Sequence, residues 1–237
     1  MKAGIFTTTI EKIISLGPDL KRFKLAFAPG TEFDFDAGQF ASIILPGKEP
    51  GKTIKRAYSI ASAPQWKGSI ELCLKLVQGG YATNYMWQLK EGDTVQIQAP
   101  LGRFVPRQPL PKTLVYVSTG TGIAPFRSIY HDLLGKGTQV EIWNIFGNRY
   151  ETEIIYKEEF EELALKHPNF KNVFTVSRPQ TWTGEKDYVQ VMLKKYIQNG
   201  QDKHLYICGL TNMINEVEKA ALEIGFEKAS IHYEKYD

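Results

Sequence analysis

The sequence is poor in the residues that build metal centres and disulfide frameworks. Among 237 residues it has two cysteines, Cys73 and Cys208, and four histidines. Two cysteines cannot supply the four thiolates that an iron–sulfur cluster needs, and they suggest no set of paired spacings. The histidines show none of the short spacings, with one another or with cysteine, that mark zinc sites. We therefore expect neither a metal site nor a disulfide framework.

Long apolar runs and a strong excess of one charge are also missing. No apolar stretch reaches the roughly 18 residues of a membrane span, and the first residues, MKAGIFTTTIEKI, lack the apolar core of a secretory signal. The net charge of +3 is too small to indicate a nucleic-acid binder by itself. We expect a soluble cytoplasmic protein whose small excess of lysine and arginine would suit an acidic protein partner.

Short β-like runs separated by glycine and proline turns fill the first half of the chain. They predict a helix at about residues 83–89 and six strands, at residues 4–15, 20–26, 40–45, 54–60, 69–76 and 94–99. Six strands at this spacing favour a closed antiparallel β-barrel, because closure removes exposed sheet edges. Prolines at positions 106, 109 and 111 then mark a boundary, which predicts one domain at 1–110 and another at 111–237.

The second half alternates between strands and helices. Strands are predicted at 113–118, 139–146, 172–177, 204–208 and 230–234, and helices near 126–134, 154–166, 188–198 and 213–224. This alternation is typical of a doubly wound parallel sheet with helices on both faces. The predicted fold class is therefore a six-stranded β-barrel followed by an α/β nucleotide-binding domain.

A glycine loop follows the first strand of this second half. The chain passes from an apolar strand through Gly120-Thr121-Gly122-Ile123 into a helical pattern. Small residues let the backbone approach a ligand, and free N–H groups at a helix start favour an anion. Pro125 stands where the third glycine of the full dinucleotide motif would be, and proline suits the first turn of a helix. Ser177-Arg178 and Cys208-Gly209 also follow strands, so all three segments are predicted to line one crevice.

Two groups in the first half carry side chains suited to a flavin or a phosphate. Alternation puts Arg56, Tyr58 and Ile60 on one face of a strand and Ser59 on the other face or at its end. Arginine can clamp a phosphate, and tyrosine can stack on a ring. Thr83 follows two glycines and would cap the short helix beside a phosphate. An ordinary amphipathic strand and a simple helix cap remain the alternatives.

Taken in order, the motifs resemble those of the ferredoxin–NADP reductase family over nearly the whole chain. The matching segments are RAYSIAS, GGYATNY, GTGIAPFRS, IYKEEFEEL, VSRPQ, GEKDYVQ and CGLTNM, and most resemble the plant-type branch. The resemblance implies that Arg56 pairs with the FAD pyrophosphate and that Tyr58 and Ser59 approach the isoalloxazine, with Ser59 near the N5 atom. The other flavin-binding residues that it implies are Gly80, Ala82 and Thr83 at the pyrophosphate, and Leu74 and Lys75 through their backbone.

For the second half the resemblance implies a nicotinamide site at the late Cys-Gly. Cys208 and Gly209 would lie beside the nicotinamide, with Thr121, Gly122 and Ile123 in the nucleotide loop. Tyr236 would cover the flavin face until nicotinamide displaces it, and Glu234 would help to relay protons. The expected catalytic residues are thus Ser59, Cys208 and Glu234. A buried packing role for Cys208 and a simple edge strand for the tail stay open, and Asp237 after Tyr236 departs from the plant-type pattern.

Four residues after the third α/β strand predict NADP rather than NAD. Ser177 and Arg178 follow the strand, and Lys186 and Tyr188 come shortly after. In the resembled family these residue types hold the 2′-phosphate of NADP, whereas an acidic residue at position 178 would have indicated the ribose diol of NAD. The alternative is that Arg178 and Lys186 are solvated surface charges.

The resemblance implies an enzyme that transfers a hydride between NADP(H) and bound FAD. It also implies single-electron transfer between FAD and a separate ferredoxin or flavodoxin. Two other enzymes stay open: an NAD(P)H-dependent reductase component of an oxygenase system, and a flavin or quinone reductase. FMN could replace FAD, because the loop at residues 78–80 offers no aromatic side chain for the adenine. A non-catalytic nucleotide or nucleic-acid binder with an OB-type platform is the alternative from another class.

Overall fold

The structure, a computed structural model, describes residues 2–47, 49 and 51–236. One compact unit contains the described residues up to Pro106 together with Ala124–Lys136, and the other contains Arg107–Ile123 and the described residues from Gly137 onward. The predicted domain boundary between residues 110 and 111 stays a prediction. Asp237 lies outside the described residues. Among the helices described, none is long and apolar enough to cross a membrane.

The first unit is built on a six-stranded antiparallel sheet. Its elements are β1 Gly4–Gly17, β2 Leu20–Phe27, β3 Phe40–Pro46, β4 Thr53–Ser59, β5 Ser69–Lys75, α1 Tyr81–Gln88 and β6 Thr94–Leu101. The strand order is β4-β3-β6-β1-β2-β5, and the edge strands β4 and β5 approach each other at a single bridge between Ile60 and Leu72. The six predicted strands are confirmed to within two residues at each end. The sheet closes at one bridge rather than along a full ladder.

Alternating side chains of these strands form the core of the first unit. Phe23, Leu25, Ile43, Leu72 and Ile97 are fully buried, and they belong to one apolar cluster. Buried residues of α1 join the same cluster, so this short helix covers part of the sheet. The alternation of apolar and polar residues that predicted the strands is therefore the alternation between core and surface.

The second unit is built on a six-stranded parallel sheet. Its strands are β7 Thr113–Thr119, β8 Glu141–Asn148, β9 Phe170–Val176, β10 Glu185–Lys186, β11 Lys203–Gly209 and β12 Ile231–Lys235. The remaining helices are α2 Ala124–Gly135, α3 Lys157–Lys166, α4 Val189–Tyr196 and α5 Thr211–Glu223. The strand order is β10-β9-β8-β7-β11-β12, which reverses direction at β7 and confirms the predicted doubly wound sheet. Strand β10 is not predicted by the sequence, because two residues are too short to form a pattern.

Apolar residues cover both faces of this sheet. Val115, Val117, Leu205 and Ile207 pack in one cluster with buried residues of α4 and α5. The residues between them in sequence, such as Tyr116 and Tyr206, are also fully buried. When both faces of a parallel sheet are covered, its strands have continuous apolar sequences. Residues 114–117 have this pattern.

Helix α2 follows β7 in sequence but packs within the first unit. The Arg127 guanidinium donates hydrogen bonds to the Ala61 carbonyl oxygen at 2.9 Å and to the Glu71 carboxylate at 2.7 Å. The Ser128 hydroxyl donates to the Ser62 carbonyl oxygen at 2.6 Å. The Arg127 and Glu71 side chains are only 4% and 13% exposed, so this ion pair is largely withdrawn from water. Through these bonds α2 holds the chain immediately after β4.

Candidate cofactor sites

Strand β4 lies at an edge of the sheet, and its side chains become more buried toward its end. It forms a ladder with β3 alone, in which Ser59 lies opposite Phe40. Arg56 is exposed, Tyr58 is half-buried and Ser59 is 4% exposed, so the strand descends from solvent into the core. The Arg56 guanidinium donates to the Lys55 carbonyl oxygen at 2.9 Å, and no described carboxylate pairs with it. Its charge is therefore available to an anion.

The Tyr58 ring combines an apolar setting with a neutral hydroxyl group. The ring packs against the core cluster of the first unit. Burial raises the pKa of the Tyr58 phenol, and the nearby Arg56 charge acts weakly in the opposite direction. A neutral, partly buried tyrosine at a sheet edge is suited to lie against a flat ring.

The N-terminus of α1 corrects the prediction for Thr83. The helix begins at Tyr81 after Gly80, rather than near residue 83, and no side chain caps it. The Thr83 hydroxyl instead accepts a hydrogen bond from the Val77 backbone N–H at 3.0 Å, so the predicted capping role is wrong. The reason is the turn at Gly79, where a φ of +73° reverses the chain and lets the helix start early.

The same helix start keeps the features of an anion site. Helix geometry leaves the first backbone N–H groups without partners inside the helix, and these groups carry partial positive charge. No acidic residue lies in the first turn of α1. Gly80, Ala82 and Thr83 therefore lie where an anion would be favoured, with Ala82 and Thr83 themselves buried.

Strand β5 forms the other edge of the first sheet. Leu74 is fully buried in the core, so its side chain is not accessible from solvent. Lys75 is exposed, and its ammonium group lies 3.4 Å from an Asp19 carboxylate oxygen. The backbone contacts that the resemblance implies for these two residues stay a prediction.

The glycine loop of the second unit is shaped by the strand beside it. Residues Gly120–Ile123 form a short 3-10 turn, and α2 begins at Ala124 with Pro125 in its first turn, as predicted. A Cβ atom on Gly122 would lie 2.3 Å from the Cys208 carbonyl oxygen. Gly122 is thus required for close approach to β11, whereas the sequence reasoning assigned this freedom to approach of a ligand. Thr121 is half-buried and Ile123 fully buried beside it.

The structure brings Cys208, Glu234 and Tyr236 together at the carboxyl ends of β11 and β12. Cys208 pairs with Glu234 across the ladder, and the Tyr236 backbone N–H donates to the Gly209 carbonyl oxygen at 3.0 Å. Cys208 is fully buried, and burial raises the pKa of its thiol well above the usual value. The Glu234 charge adds to this rise, and a hydrogen bond with the Tyr236 side chain opposes it. Cys208 is therefore a neutral thiol rather than a thiolate.

Ser118 is a residue of this group that the sequence analysis did not select. It lies beside Cys208 in the ladder between β7 and β11. Its hydroxyl oxygen is buried and has no hydrogen-bond partner among the residues that the structure describes. A buried hydroxyl of this kind normally finds a partner, so its position next to Cys208 is consistent with a site that a ligand completes. The signal in the sequence was only its place at the end of a predicted strand.

Ser177, Arg178 and Lys186 lie close together at the carboxyl end of β9. The Ser177 backbone N–H donates to the Asn148 carbonyl oxygen at 3.0 Å. In the ladder between β9 and β10, Lys186 pairs with Val176, the residue before Ser177. Tyr188 is 62% exposed and precedes the first turn of α4. All four residues predicted for the phosphate thus belong to one short stretch of the sheet edge.

Arg149 belongs to the same region, and the sequence analysis missed it. The Arg178 backbone N–H donates to the Arg149 carbonyl oxygen at 2.8 Å, so the loops after β8 and β9 run side by side. The side chains of Arg149, Arg178 and Lys186 are exposed, and no described carboxylate forms an ion pair with any of them. Arg149 follows the end of a strand, as Arg178 does. This place in the sequence could have identified it as a candidate. We call Arg149, Arg178 and Lys186 the cation cluster.

Two family models match the two halves of the chain. They are the oxidoreductase FAD-binding domain, over residues 7–105, and the oxidoreductase NAD-binding domain, over residues 116–219. The chain is 33% identical over 245 residues to ferredoxin–NADP reductase B of Sorangium cellulosum (strain So ce56), and the match covers all of both chains. It is 30% identical to the phenol hydroxylase P5 protein of Acinetobacter pittii (strain PHEA-2), covering 98% of this chain and 65% of that protein.

A solved structure supports the same fold. The ferredoxin NADP+ reductase of Neisseria gonorrhoeae with bound FAD and NADP superposes with a TM-score of 0.86 at 24% identity, over 98% of each chain. These findings confirm the predicted fold class and the predicted resemblance. The chain has an FAD-binding domain and an NAD(P)-binding domain, and it belongs to the ferredoxin–NADP reductase family of oxidoreductases.

Proposed function

We propose that this protein is a ferredoxin (or flavodoxin)–NADP reductase. It transfers a hydride between NADP(H) and bound FAD, and it exchanges single electrons with a separate ferredoxin or flavodoxin. The observation that carries the nucleotide assignment is the cation cluster, whose three charges have no described carboxylate partner. The full-length likeness to ferredoxin–NADP reductase B supports the choice of electron partner.

The residues of the first unit fit an FAD molecule. Arg56 and the uncapped start of α1 would hold the pyrophosphate, since both offer positive charge without a carboxylate partner. Tyr58 would lie against the ring system, and Ser59 would orient it from the buried end of β4. When bound, FAD supplies the atom that exchanges hydride with nicotinamide and passes single electrons onward. The protein contributes position and electrostatics.

The carboxyl end of β11 would hold the nicotinamide. Cys208 would lie against the ring as a neutral, polarisable group, because its raised pKa excludes a thiolate at ordinary pH. Tyr236 would occupy the ring position when nicotinamide is absent, and its backbone is already fixed to Gly209. Glu234, half-buried beside Cys208, would take or give protons at the edge of the site.

The cation cluster would give the preference for NADP. The 2′-phosphate adds about two negative charges to the adenosine ribose of NAD. Each charge-assisted hydrogen bond contributes roughly 1.5–3 kcal/mol. Two such bonds would contribute roughly 3–6 kcal/mol, a preference on the order of a hundredfold to ten-thousandfold. Ser177 and Tyr188 would complete this part of the site.

A second candidate is the reductase component of an oxygenase system. The likeness to the phenol hydroxylase P5 protein favours it, although the chain spans 65% of that protein's length. The two cysteines of this chain cannot supply the four thiolates of an iron–sulfur cluster, so in either candidate single electrons would pass from the flavin to a centre outside these residues. The two candidates differ in that electron partner.

Stopped-flow spectroscopy of the purified protein tests the proposal. The FAD-loaded protein is mixed without oxygen with NADPH and, separately, with NADH. Rapid bleaching of the flavin band by NADPH and much slower bleaching by NADH is the expected result. Faster bleaching by NADH would contradict the NADP assignment. Reduction of added ferredoxin or flavodoxin in the same mixture then tests the electron partner.

A further inference from the structure

The glutamates beside Arg149 and Lys186 bind other groups. The Glu153 carboxylate accepts the Arg149 backbone N–H at 3.2 Å. The Glu185 carboxylate, adjacent to Lys186, accepts hydrogen bonds from the Lys195 ammonium at 2.7 Å and from the Tyr196 hydroxyl. These carboxylates therefore do not neutralise the cationic side chains of the cluster.

Glu151 makes the largest set of such contacts. Its carboxylate accepts the Gln180 backbone N–H at 3.2 Å, the Thr181 backbone N–H, and the Thr181 hydroxyl at 2.8 Å. Gln180 and Thr181 follow Arg178 by two and three positions. The Arg178 backbone N–H is itself bound to the Arg149 carbonyl oxygen. The segment from 178 to 181 is thus tied at both ends to the segment from 149 to 151.

The Glu151 carboxylate, which anchors the segment from 178 to 181, is charged across the whole physiological pH range. The hydrogen bonds from Thr181, backbone first, lower the pKa of the Glu151 carboxyl to about 2. A carboxylate that accepts several hydrogen bonds from one loop restricts that loop more than a neutral side chain would. Since Pro179 follows Arg178 directly and restricts its backbone further, this attachment leaves the backbone at Arg178 little freedom.

The charge of Glu151 and its hydrogen bonds have opposite consequences for a phosphate ligand. As a bare negative charge near the cation cluster, Glu151 would repel the 2′-phosphate, and removing it would strengthen binding. As an anchor it holds Arg178 in place, and removing it would weaken binding because a mobile arginine loses more conformational freedom on contact. Whether removing Glu151 strengthens or weakens binding of the phosphate therefore distinguishes the two roles.

We propose that Glu151 is a positioning residue for nucleotide selectivity, which fixes the 178–181 loop so that Arg178 meets the 2′-phosphate of NADP. This proposal rests on the proposed NADP-dependent function. It assigns to Glu151 a role in choosing between NADPH and NADH rather than in the transfer of hydride.

The test compares Glu151→Ala with a variant of equal charge change, Glu162→Ala. Glu162 is exposed on α3, where it pairs with Lys166. The ratio of kcat/KM for NADPH to kcat/KM for NADH is measured, together with calorimetric binding of 2′-AMP as a probe of the phosphate site. We expect the ratio to fall about tenfold or more in Glu151→Ala, on the scale of one charge-assisted contact. NADH kinetics and the Glu162→Ala ratio should stay unchanged.

An unchanged or increased ratio in Glu151→Ala would overturn the proposal, since an increase is what a merely repulsive charge predicts. If that variant does not fold, Thr181→Val removes one of the three donors and should lower the ratio in the same direction. Arg178→Glu serves as the reference for the underlying function. If Arg178→Glu lowers the ratio and Glu151→Ala does not, only the positioning role of Glu151 is wrong. If neither lowers it, the NADP assignment itself is wrong.

Discussion

Gly122 and the Cys208 carbonyl oxygen are so close that no side chain fits between them, because a Cβ atom on Gly122 would lie 2.3 Å from that oxygen. The contact joins the nucleotide loop to the strand that carries the candidate nicotinamide site. Gly122→Ala must therefore push the loop away from β11. We expect a loss of about 1–3 kcal/mol in the free energy of unfolding and weaker NADPH binding.

Gly17→Ala is the control for this change. Its added Cβ would lie 4.0 Å from the nearest atom outside its own chain neighbours, which is ordinary contact. Urea unfolding and NADPH titration should show little change in the control. If Gly122→Ala matches the control in both measurements, the close packing between loop and strand has no energetic importance.

Arg178→Glu should reverse the nucleotide preference. The change replaces one charge of the cation cluster with the opposite charge, so it should lower kcat/KM for NADPH by about a hundredfold or more. NADH carries no 2′-phosphate and should be affected far less. Steady-state kinetics with both nucleotides check this result. Equal losses for both would mean that Arg178 does not meet the phosphate.

Cys208→Ala should slow hydride transfer and leave the flavin content intact. A small gap against the ring would misplace it, and misplacement of that order can lower a rate by about a hundredfold. Cys73→Ala is a matched control, because Cys73 also carries a buried thiol. Single-turnover reduction by NADPH provides the measurement. An unchanged rate in Cys208→Ala would assign Cys208 to packing alone.

The buried pair of Arg127 and Glu71 should contribute strongly to stability. Removing one partner of a buried pair leaves an uncompensated charge and costs about 3–5 kcal/mol. The Arg22 guanidinium also lies 3.7 Å from the Glu71 carboxylate and compensates part of its charge. Arg127→Met should therefore destabilise the protein by at most this amount, and the loss in the double variant with Glu71→Leu should be smaller than the sum of the two single losses. The exposed pair of Lys24 and Glu11 is the control, with a contribution of about 0–1 kcal/mol expected from Lys24→Met. Additive losses in the double variant would contradict the coupling.

His232 should contribute to loss of stability in acid. Its imidazole lies 4.8 Å from the Tyr206 ring and 5.4 Å from the His204 ring, measured between centroids. Burial, then the His204 and Arg107 charges, lower the pKa of His232 from 6.5 to about 4. The unfolded chain therefore binds this proton first as the pH falls. The stabilising contribution is present above pH 6.5 and is lost as the pH falls from 6.5 to about 4.

The measurement for His232 is urea unfolding at pH 7 and at pH 4.5. His232→Gln cannot take up the proton, so its free energy of unfolding should decrease less between the two values than that of the unchanged protein. His167→Gln, at the half-buried C-cap position of α3, is the control. An equal decrease in the His232 variant and the unchanged protein would show that other groups cause the acid sensitivity.

Much of the fold could be predicted because local patterns in the sequence indicate where the strands begin and end. Apolar alternation bounded by glycine and proline gave β4 at 54–60, and the structure has it at Thr53–Ser59. Local signals of this kind also predicted which loops follow strands of the parallel sheet. They could not predict β10, because two residues form no pattern. They also could not predict that Thr83 would bind Val77 rather than cap its helix, because that contact depends on how the turn of two glycines before the helix folds back.

The candidate sites were predictable only where one segment carries the whole pattern. Arg178 and Lys186 occur in recognisable motifs, but Arg149 was missed because its neighbour in space, Arg178, is far along the chain. The same holds for Arg127, whose partner Glu71 is 56 positions away. Contacts between residues so far apart in sequence are fixed by the fold as a whole, and the local periodicity of apolar residues does not predict them.

The packing of α2 limits how the chain can be divided. A fragment that starts at residue 111 would carry Arg127 and Ser128 without Glu71, Ala61 and Ser62, to which they are bound. A chimaera joined at that point to the first half of a relative would inherit a helix shaped for a different surface. Exchange of halves between relatives should therefore succeed only when α2 travels with the sheet it packs on, so the two halves are not independent modules in protein engineering.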